Sequence, residues 1–278
     1  MKKFVLLFAL LLMIAGSSIA QMNSGHQENP PAPIKVENQI NTNHASGCNF
    51  LVLMDNLPWG NSSITDILTA NGETFSVANS VTFPGLDFSD YDVIIVASDQ
   101  NPAFHVVYNA NFAKFVAFVT AGGSLELHCA TCGWNSPCGY SVLLPGGAYT
   151  TEQYDNYDVI VDPTNPIVAG VPNPFYGTFA SHGYFSNLVA GTDIITATQS
   201  NNMPTTIQYK YGTGIVTATT CTYEYGCGAG QSACTMLHNN LNYSCQHAIE
   251  AVPVSDWAIG IGIFLIIMAA FVRYKRFV

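Results

Sequence analysis

Four β-branched residues in succession, Val93-Ile-Ile-Val96, lie inside the run Asp90-Tyr-Asp-Val-Ile-Ile-Val-Ala-Ser-Asp99. A stretch that is apolar at every position, rather than at every second one, belongs to a strand covered on both faces. That is the situation of a parallel sheet with helices on either side. Cys48-Asn-Phe-Leu-Val-Leu-Met-Asp55 has the same character. Between the two runs, Asn61 to Gly72 carries apolar residues at helical spacing, Ser or Asn at its start and a glycine at its end, the marks of a capped helix. A short strand follows over Thr74 to Asn79. A second helical pattern, Val106 to Thr120, stops at Gly122-Gly123 and leads into the strand Ser124 to Cys129. Strand, helix, strand, strand, helix, strand at these lengths specifies an α/β fold with a doubly wound, mostly parallel sheet of flavodoxin-like type.

The second half is less periodic. Ala130 to Tyr149 is a loop rich in Gly, Pro and Cys. Short strands are expected over Asp158 to Val161 and Thr192 to Thr198, a β-hairpin over Thr205 to Thr220 around Tyr211-Gly-Thr-Gly214, and a closing helix over Ser232 to Ala248.

The ends of the 278-residue chain carry targeting signals. Met1-Lys2-Lys3, the apolar stretch Phe4 to Ile14 and Ser18-Ile-Ala20 have the three-part form of a signal peptide over 1–20, a substrate for signal peptidase. The Asn, Gln, Pro and Ser of 21–47 offer almost nothing to bury and read as a disordered spacer. The folded domain is then 48–250. Trp257 to Val272 is an apolar run, just under the length usual for a bilayer span, and Arg273, Lys275 and Arg276 follow it. Together they predict a transmembrane helix over 257–272 with a cytoplasmic stop. The stretch 252–278, opening on Val252-Pro-Val-Ser255, resembles the PEP/IPTL-type C-terminal sorting signals of bacterial surface proteins. That resemblance implies an exosortase-type enzyme as partner and delivery to the cell surface; retention as a plain membrane anchor is the alternative.

Charge excludes one class of partner. Between Cys48 and His247 the basic residues are Lys114 and Lys210 alone, against acids spread from Asp55 to Glu224, and the whole chain carries −10. A field of that sign repels phosphate backbones, so nucleic acid is not an expected partner. All eight cysteines (Cys48, Cys129, Cys132, Cys138, Cys221, Cys227, Cys234 and Cys245) lie in the exported part. An even set in an oxidising compartment predicts a disulfide framework, without fixing its pairing.

The body, Cys48 to Ala248, resembles the class I glutamine-amidotransferase-like superfamily, in particular its trehalose-utilisation-protein-like (ThuA-like) branch. The residues that carry the resemblance occur in the expected order: Phe50 to Asp55, the Asp90-Tyr-Asp-Val-Ile-Ile run, and Gly122-Gly-Ser-Leu-Glu-Leu-His128. Asn165-Pro-Ile-Val-Ala-Gly-Val171, Ser181-His-Gly-Tyr-Phe-Ser-Asn-Leu188 and Tyr211-Gly-Thr-Gly-Ile-Val216 follow. In that superfamily a Cys on a tight strand-to-helix turn is the nucleophile and a His its base, which by position implies Cys129 and His182. The chain departs from the pattern where it matters. Leu127 and Thr131 replace the two glycines of the turn, Gly133, Pro137 and Gly139 disfavour the helix that would follow, and no Glu lies two residues after His182.

Four readings of the Cys129 region therefore stand side by side. Cys129 is a nucleophile with His182 as base and Glu224 or Asp99 as orienter; or it is consumed in a disulfide, which the compartment favours; or Cys129-Ala-Thr-Cys132 is a redox pair; or His128, Cys129, Cys132 and Cys138 hold zinc. Neighbouring strand residues pointing to opposite faces speak against zinc, and neither metal nor cofactor is expected. Cys221 to Cys227 reads as a disulfide-pinned loop whose Tyr223, Glu224 and Tyr225, with Tyr184 and Asp99 near the same sheet edge, form a candidate sugar-binding rim. Two functions are left: a non-catalytic surface module that binds a glycan or serves structurally, and a Cys/His hydrolase or amidase acting on surface carbohydrate or amides. The state of the Cys129 thiol separates them.

Overall fold

The computed structural model describes residues 39–42 and 47–250. The signal peptide 1–20, most of the spacer and the sorting signal 252–278 with its span 257–272 lie outside the described residues. Among the described residues no helix is long and apolar enough to cross a membrane.

Ten strands form one mixed sheet: β1 (Gln39–Thr42), β2 (Asn49–Leu53), β3 (Thr74–Ala78), β4 (Val93–Val96), β5 (Ser124–His128), β6 (Tyr149–Ile160), β7 (Phe175–Ser186), β8 (Asp193–Thr198), β9 (Pro204–Tyr211) and β10 (Gly214–Thr219). Their spatial order is β1-β3-β2-β4-β5-β10-β9-β8-β6-β7. The block β3-β2-β4-β5-β10 is parallel throughout and has the 2-1-3-4-5 order of a flavodoxin-like fold. The remaining pairings are antiparallel, so the sheet is mixed where a mostly parallel one was expected. The stretch read as wholly disordered spacer contributes β1, which adds to the β3 edge.

The continuous apolar strands behave as their sequence dictates. Successive side chains point to opposite faces, so Phe50, Val52, Val93 and Ile95 face α1 (Ser63–Ala70) and α5 (Ala233–Glu250) through Ile64, Leu68, Met236 and Leu241. Leu51, Leu53, Ile94 and Leu125 face α2 (Pro102–Ala110) and α3 (Phe112–Thr120) through Phe104, Tyr108, Phe115 and Val119. The expected single helix over 106–120 is thus two. It begins earlier, where Asn101 accepts the Phe104 N–H at 3.0 Å and Pro102 takes the first turn. It breaks at Asn111, whose amide side chain donates to the Val107 carbonyl at 2.9 Å.

The largest departures lie in the antiparallel half. The short strand at 158–161 is the end of a 12-residue strand, β6, paired with an equally long β7. Thr-Thr-Glu-Gln-Tyr-Asp-Asn-Tyr over 150–157 carries no apolar alternation because most of β6 is exposed or half-buried, while β7 turns the larger part of its residues inward. Cys221 to Cys227 is not a disulfide-closed loop: Tyr223–Gly228 forms a helix, α4, and Cys227 bonds to Cys234. The other bridges are Cys48–Cys245 and Cys132–Cys138, while Cys129 and Cys221 remain thiols, so the framework takes six of the eight cysteines.

Candidate functional site

In an open parallel sheet the carboxyl ends of the strands form the usual site, most of all where the strand order reverses. Here the reversal lies between β2 and β4, and Gln100 laces it shut. Gln100 Oε1 accepts from the Asp55 and Asn56 amides at 2.6 and 3.1 Å, and its Nε2 donates to the carbonyls of Asn56 and Ser98 at 2.9 and 2.7 Å. The accessible chemistry sits beside that crevice. A groove of about 830 Å³ at the opposite end, lined by Leu86, Phe88, Tyr91, Lys114 and Phe118, holds none of the sequence-derived candidates. Its one cation is occupied: Lys114 Nζ donates to the carbonyls of Pro84 and Leu86 and lies 4.5 Å over the Phe88 ring.

Strand β5 delivers His128 and Cys129 to opposite faces. Cys129 is buried in the core under α2 and α3, with its thiol 3.4 Å from the Leu127 carbonyl. Burial raises its pKa far above the ordinary value, and the charge of Glu224 raises it further. Burial, a raised pKa and the lack of a helix N-terminus after it are the reverse of the surroundings that activate a thiol. It is also not a disulfide partner, because Cys132 pairs with Cys138, which removes the Cys-x-x-Cys redox pair as well.

His128 enters the other core. Its Nδ1 is 2.8 Å from Glu224 Oε1 and its Nε2 3.3 Å from Glu126 Oε2, which accepts from Asn240 Nδ2 at 2.8 Å. Burial alone would lower the imidazole pKa; the charges of Glu224 and Glu126 outweigh it and bring it up to about 9. Glu224 is held below the usual carboxylate range, the His128 charge overcoming burial. Glu224 therefore orients His128 rather than His182, and the zinc set of His128, Cys129, Cys132 and Cys138 does not assemble. Cys132, Cys138 and Glu152 do lie together, but both sulfurs are in the disulfide. Tyr223, expected on a sugar-binding rim, is fully buried with its ring 5.5 Å from that of His128.

Asp99 is equally committed. Its backbone is left-handed (φ 55°), and its buried carboxylate accepts from Trp59 N (2.9 Å), Asn135 N (2.8 Å), Asn135 Nδ2 (2.9 Å), and Ser136 N and Oγ (3.1 and 3.4 Å). Burial raises its pKa against the pull of those donors. Its function is to hold the loop after β5.

His182 is where the remaining candidates converge. Edge strand β7 reaches the end of β10 because its Ala180–His182 segment is hydrogen-bonded to the chain leaving that strand: His182 N donates to Thr220 O at 2.9 Å and Thr222 N to Ala180 O at 3.0 Å. The His182 Nδ1 donates to the Thr131 carbonyl at 2.8 Å. Around the buried imidazole stand Tyr154, Trp59 and Phe179, all edge-to-face, at 5.1, 5.8 and 6.0 Å between ring centres. Tyr225, half-buried, packs on Trp59 at 6.1 Å. A register shift between Glu152 and Asp155 sets Gln153 and Tyr154 opposite the single residue His182, and a bulge of that kind re-aims a side chain. Tyr154 donates to Glu152 at 2.6 Å. Tyr184 is half-buried two residues along the strand from His182.

Backbone strain marks the same place. Among the described residues, Trp59 (φ 47°), Asp99 (55°), Cys132 (58°) and Phe179 (54°) are left-handed without being glycine, and all four are at, or bonded to, the His182 surroundings. The other two, Asn187 and Asn202, are asparagines, which tolerate the conformation. Strained residues of this kind cluster at functional sites. Trp59, Tyr154 and Phe179 were not among the sequence candidates; the one local signal was the setting of Trp59 between Pro58 and Gly60.

No family model matches the chain. It is similar to an uncharacterized protein of Clostridium acetobutylicum, 26% identical over 200 residues, 72% of this chain. The chain spans 20% of that relative's length. Among solved structures it is similar to a Thermoplasma acidophilum protein described as part of a GMP synthase (12% identity, TM-score 0.49, covering 73% of this chain and 96% of that one). It is also similar to a Parabacteroides merdae protein described as ThuA-like (13%, TM-score 0.46, 71% and 90%) and to a cytoplasmic protein of Salmonella typhimurium LT2 (13%, TM-score 0.48, 70% and 98%).

Proposed function

We propose that the protein is an exported, surface-anchored binding module without catalytic activity, and that it takes a neutral glycan on the aromatic group around His182. The observation that carries the reading is the convergence of Trp59, Tyr154 and Phe179 on His182 at the carboxyl end of the sheet, with Tyr225 packed on Trp59. The nucleophile and both orienters that a hydrolase would pair with His182 are committed elsewhere. Cys129 is buried and protonated, Glu224 is paired with His128, and Asp99 is saturated by five donors.

Aromatic rings with a polar tip suit a ligand with an apolar face and hydroxyl edges. Tyr154 with Glu152 supplies both at the exposed rim of the group. The net charge of −10 favours a neutral ligand over a polyanion. Three disulfides support an oxidising compartment, in keeping with export.

The test is calorimetric titration of the full chain in detergent with cellohexaose, maltohexaose and mannohexaose. Tyr154→Ala is expected to weaken binding at least about tenfold, while Cys129→Ala binds as the wild type does. A wild-type protein that cleaves one of these sugars and a Cys129→Ala variant that does not would replace this reading with the hydrolase.

A further inference from the structure

The loop after β5 ends in a two-residue tip, Trp134-Asn135, and everything around the tip is immobilised. Cys132 and Cys138 close it covalently, and Cys132 N donates to the Pro137 carbonyl at 3.2 Å. The Gly133 amide donates to Ser136 Oγ at 3.1 Å. Asp99, buried beneath, grips Asn135 through both backbone and side chain and Ser136 through its backbone. The fit leaves no room at position 133, where a Cβ would come within 2.1 Å of Asp99 Oδ1 and 3.0 Å of Trp59 Nε1.

The Trp134 side chain is left outside this clamp, 40% exposed. Its chain neighbours on either side touch Asp99, and Asp99 also takes the Trp59 amide. Trp134 is therefore tied through its chain neighbours to the carboxylate that holds Trp59, and position 133 packs against the Trp59 indole. Tryptophan held rigidly and left in water is an expensive use of apolar surface for a fold, and a productive one for a binding site: little side-chain or loop freedom is lost when a ligand stacks on it.

We infer that Trp134 is a ligand-contacting residue, a stacking platform at the mouth of the His182 site for a sugar ring of the bound glycan. The inference rests on the glycan-binding reading above and adds a specificity-determining contact to it. Asp99 and the Cys132–Cys138 bridge are positioning elements that present the indole in one posture.

The experiment titrates the same three hexaoses into full-length wild type, Trp134→Ala, Trp134→Phe and Tyr154→Ala in detergent, with thermal melts of each. Trp134→Ala is expected to weaken binding at least about tenfold with an unchanged Tm, and Trp134→Phe to recover most of it. The tryptophan emission of the wild type is expected to shift on adding sugar, and that shift to shrink in Trp134→Phe, Trp59 supplying what is left. If Trp134→Ala binds as the wild type does while Tyr154→Ala fails, the platform is overturned and the glycan reading stands. A fall in Tm for Trp134→Ala would make the indole a packing residue and also overturn the platform. If no hexaose binds the wild type, both fall together.

Discussion

Phe179 holds a left-handed backbone (φ 54°) on a half-buried position, with its ring 6.0 Å from that of His182 and 5.6 Å from that of Tyr154. A residue with a Cβ is disfavoured there by about 1–2 kcal/mol, and glycine would remove that penalty. Phe179→Gly therefore separates stability from function. Its Tm is expected to equal or exceed that of the wild type although an aromatic side chain is lost, while hexaose affinity falls. A variant that melts well below the wild type would show Phe179 to be a packing residue instead. At this scale the sequence was only partly legible. His182 could be reached through a family resemblance, because the Ser181-His-Gly-Tyr-Phe run is contiguous. Trp59, Tyr154 and Phe179 could not, since a register shift and left-handed backbone bring them together and neither leaves a periodic trace. Tyr223 and Tyr225 lie two residues apart on one short helix, which buries the first and leaves the second half-buried.

Among the elements, the β6–β7 ribbon carries Tyr154, Phe179 and His182 beyond the parallel core, and its root is fixed by a buried carboxyl. Asp158 on β6 accepts from Ser181 Oγ of β7 at 3.0 Å and from the Cys221 thiol, just past β10, at 3.4 Å. Burial raises its pKa to about 7, against the pull of Thr205, Ser181 and Cys221. Its ordinary value is 3.8, so the folded state holds this proton more tightly than the unfolded one. The stability it supplies is complete below about pH 3.8 and is lost as the pH rises through about 7. Asp158→Asn keeps the shape without the titration. The stability difference between variant and wild type is expected to shift in the variant's favour between pH 4 and 7, by as much as roughly 4 kcal/mol at 1.36 per unit, and to stay flat above. Chemical denaturation of both proteins across that range reads it; a difference independent of pH would rule out Asp158 as the titrating group. The ribbon was the least legible element, because it has neither the period-2 alternation of a half-buried strand nor the continuous apolar run of a buried one. The parallel strands, which have the second signature, were found close to their true bounds.

For the whole molecule, the consequential covalent link is Cys48–Cys245, joining the start of β2 to α5 across 197 residues. In the chain-entropy picture a loop of that length stabilises by about 5 kcal/mol, whereas the six-residue separation of Cys132 and Cys138 contributes about 2. Replacing Cys48 and Cys245 together by Ala is accordingly expected to lower Tm more than replacing Cys132 and Cys138 together, by differential scanning of the two double variants. The reverse order would mean that the loop clamp, not the long closure, governs global stability. An even set of eight cysteines announces such a framework, but pairing depends on tertiary proximity. Cys129 and Cys221 stay outside it as thiols, each just past the end of a strand and buried in cores on opposite faces of the sheet.

The Cys48–Cys245 bond also decides how the domain responds to force. Its two α-carbons are 5.8 Å apart, so the chain enters and leaves the fold at nearly one point. Tension applied through the residues before Cys48 and after Cys245 runs across a single sulfur–sulfur bond, bypassing the parallel strands and both helical layers. Among the described strands, β1, which lies outside the bridge on the β3 edge, is the one in line to peel away. Pulled from both ends, the domain would keep its sheet intact under loads that would unzip an unbridged one.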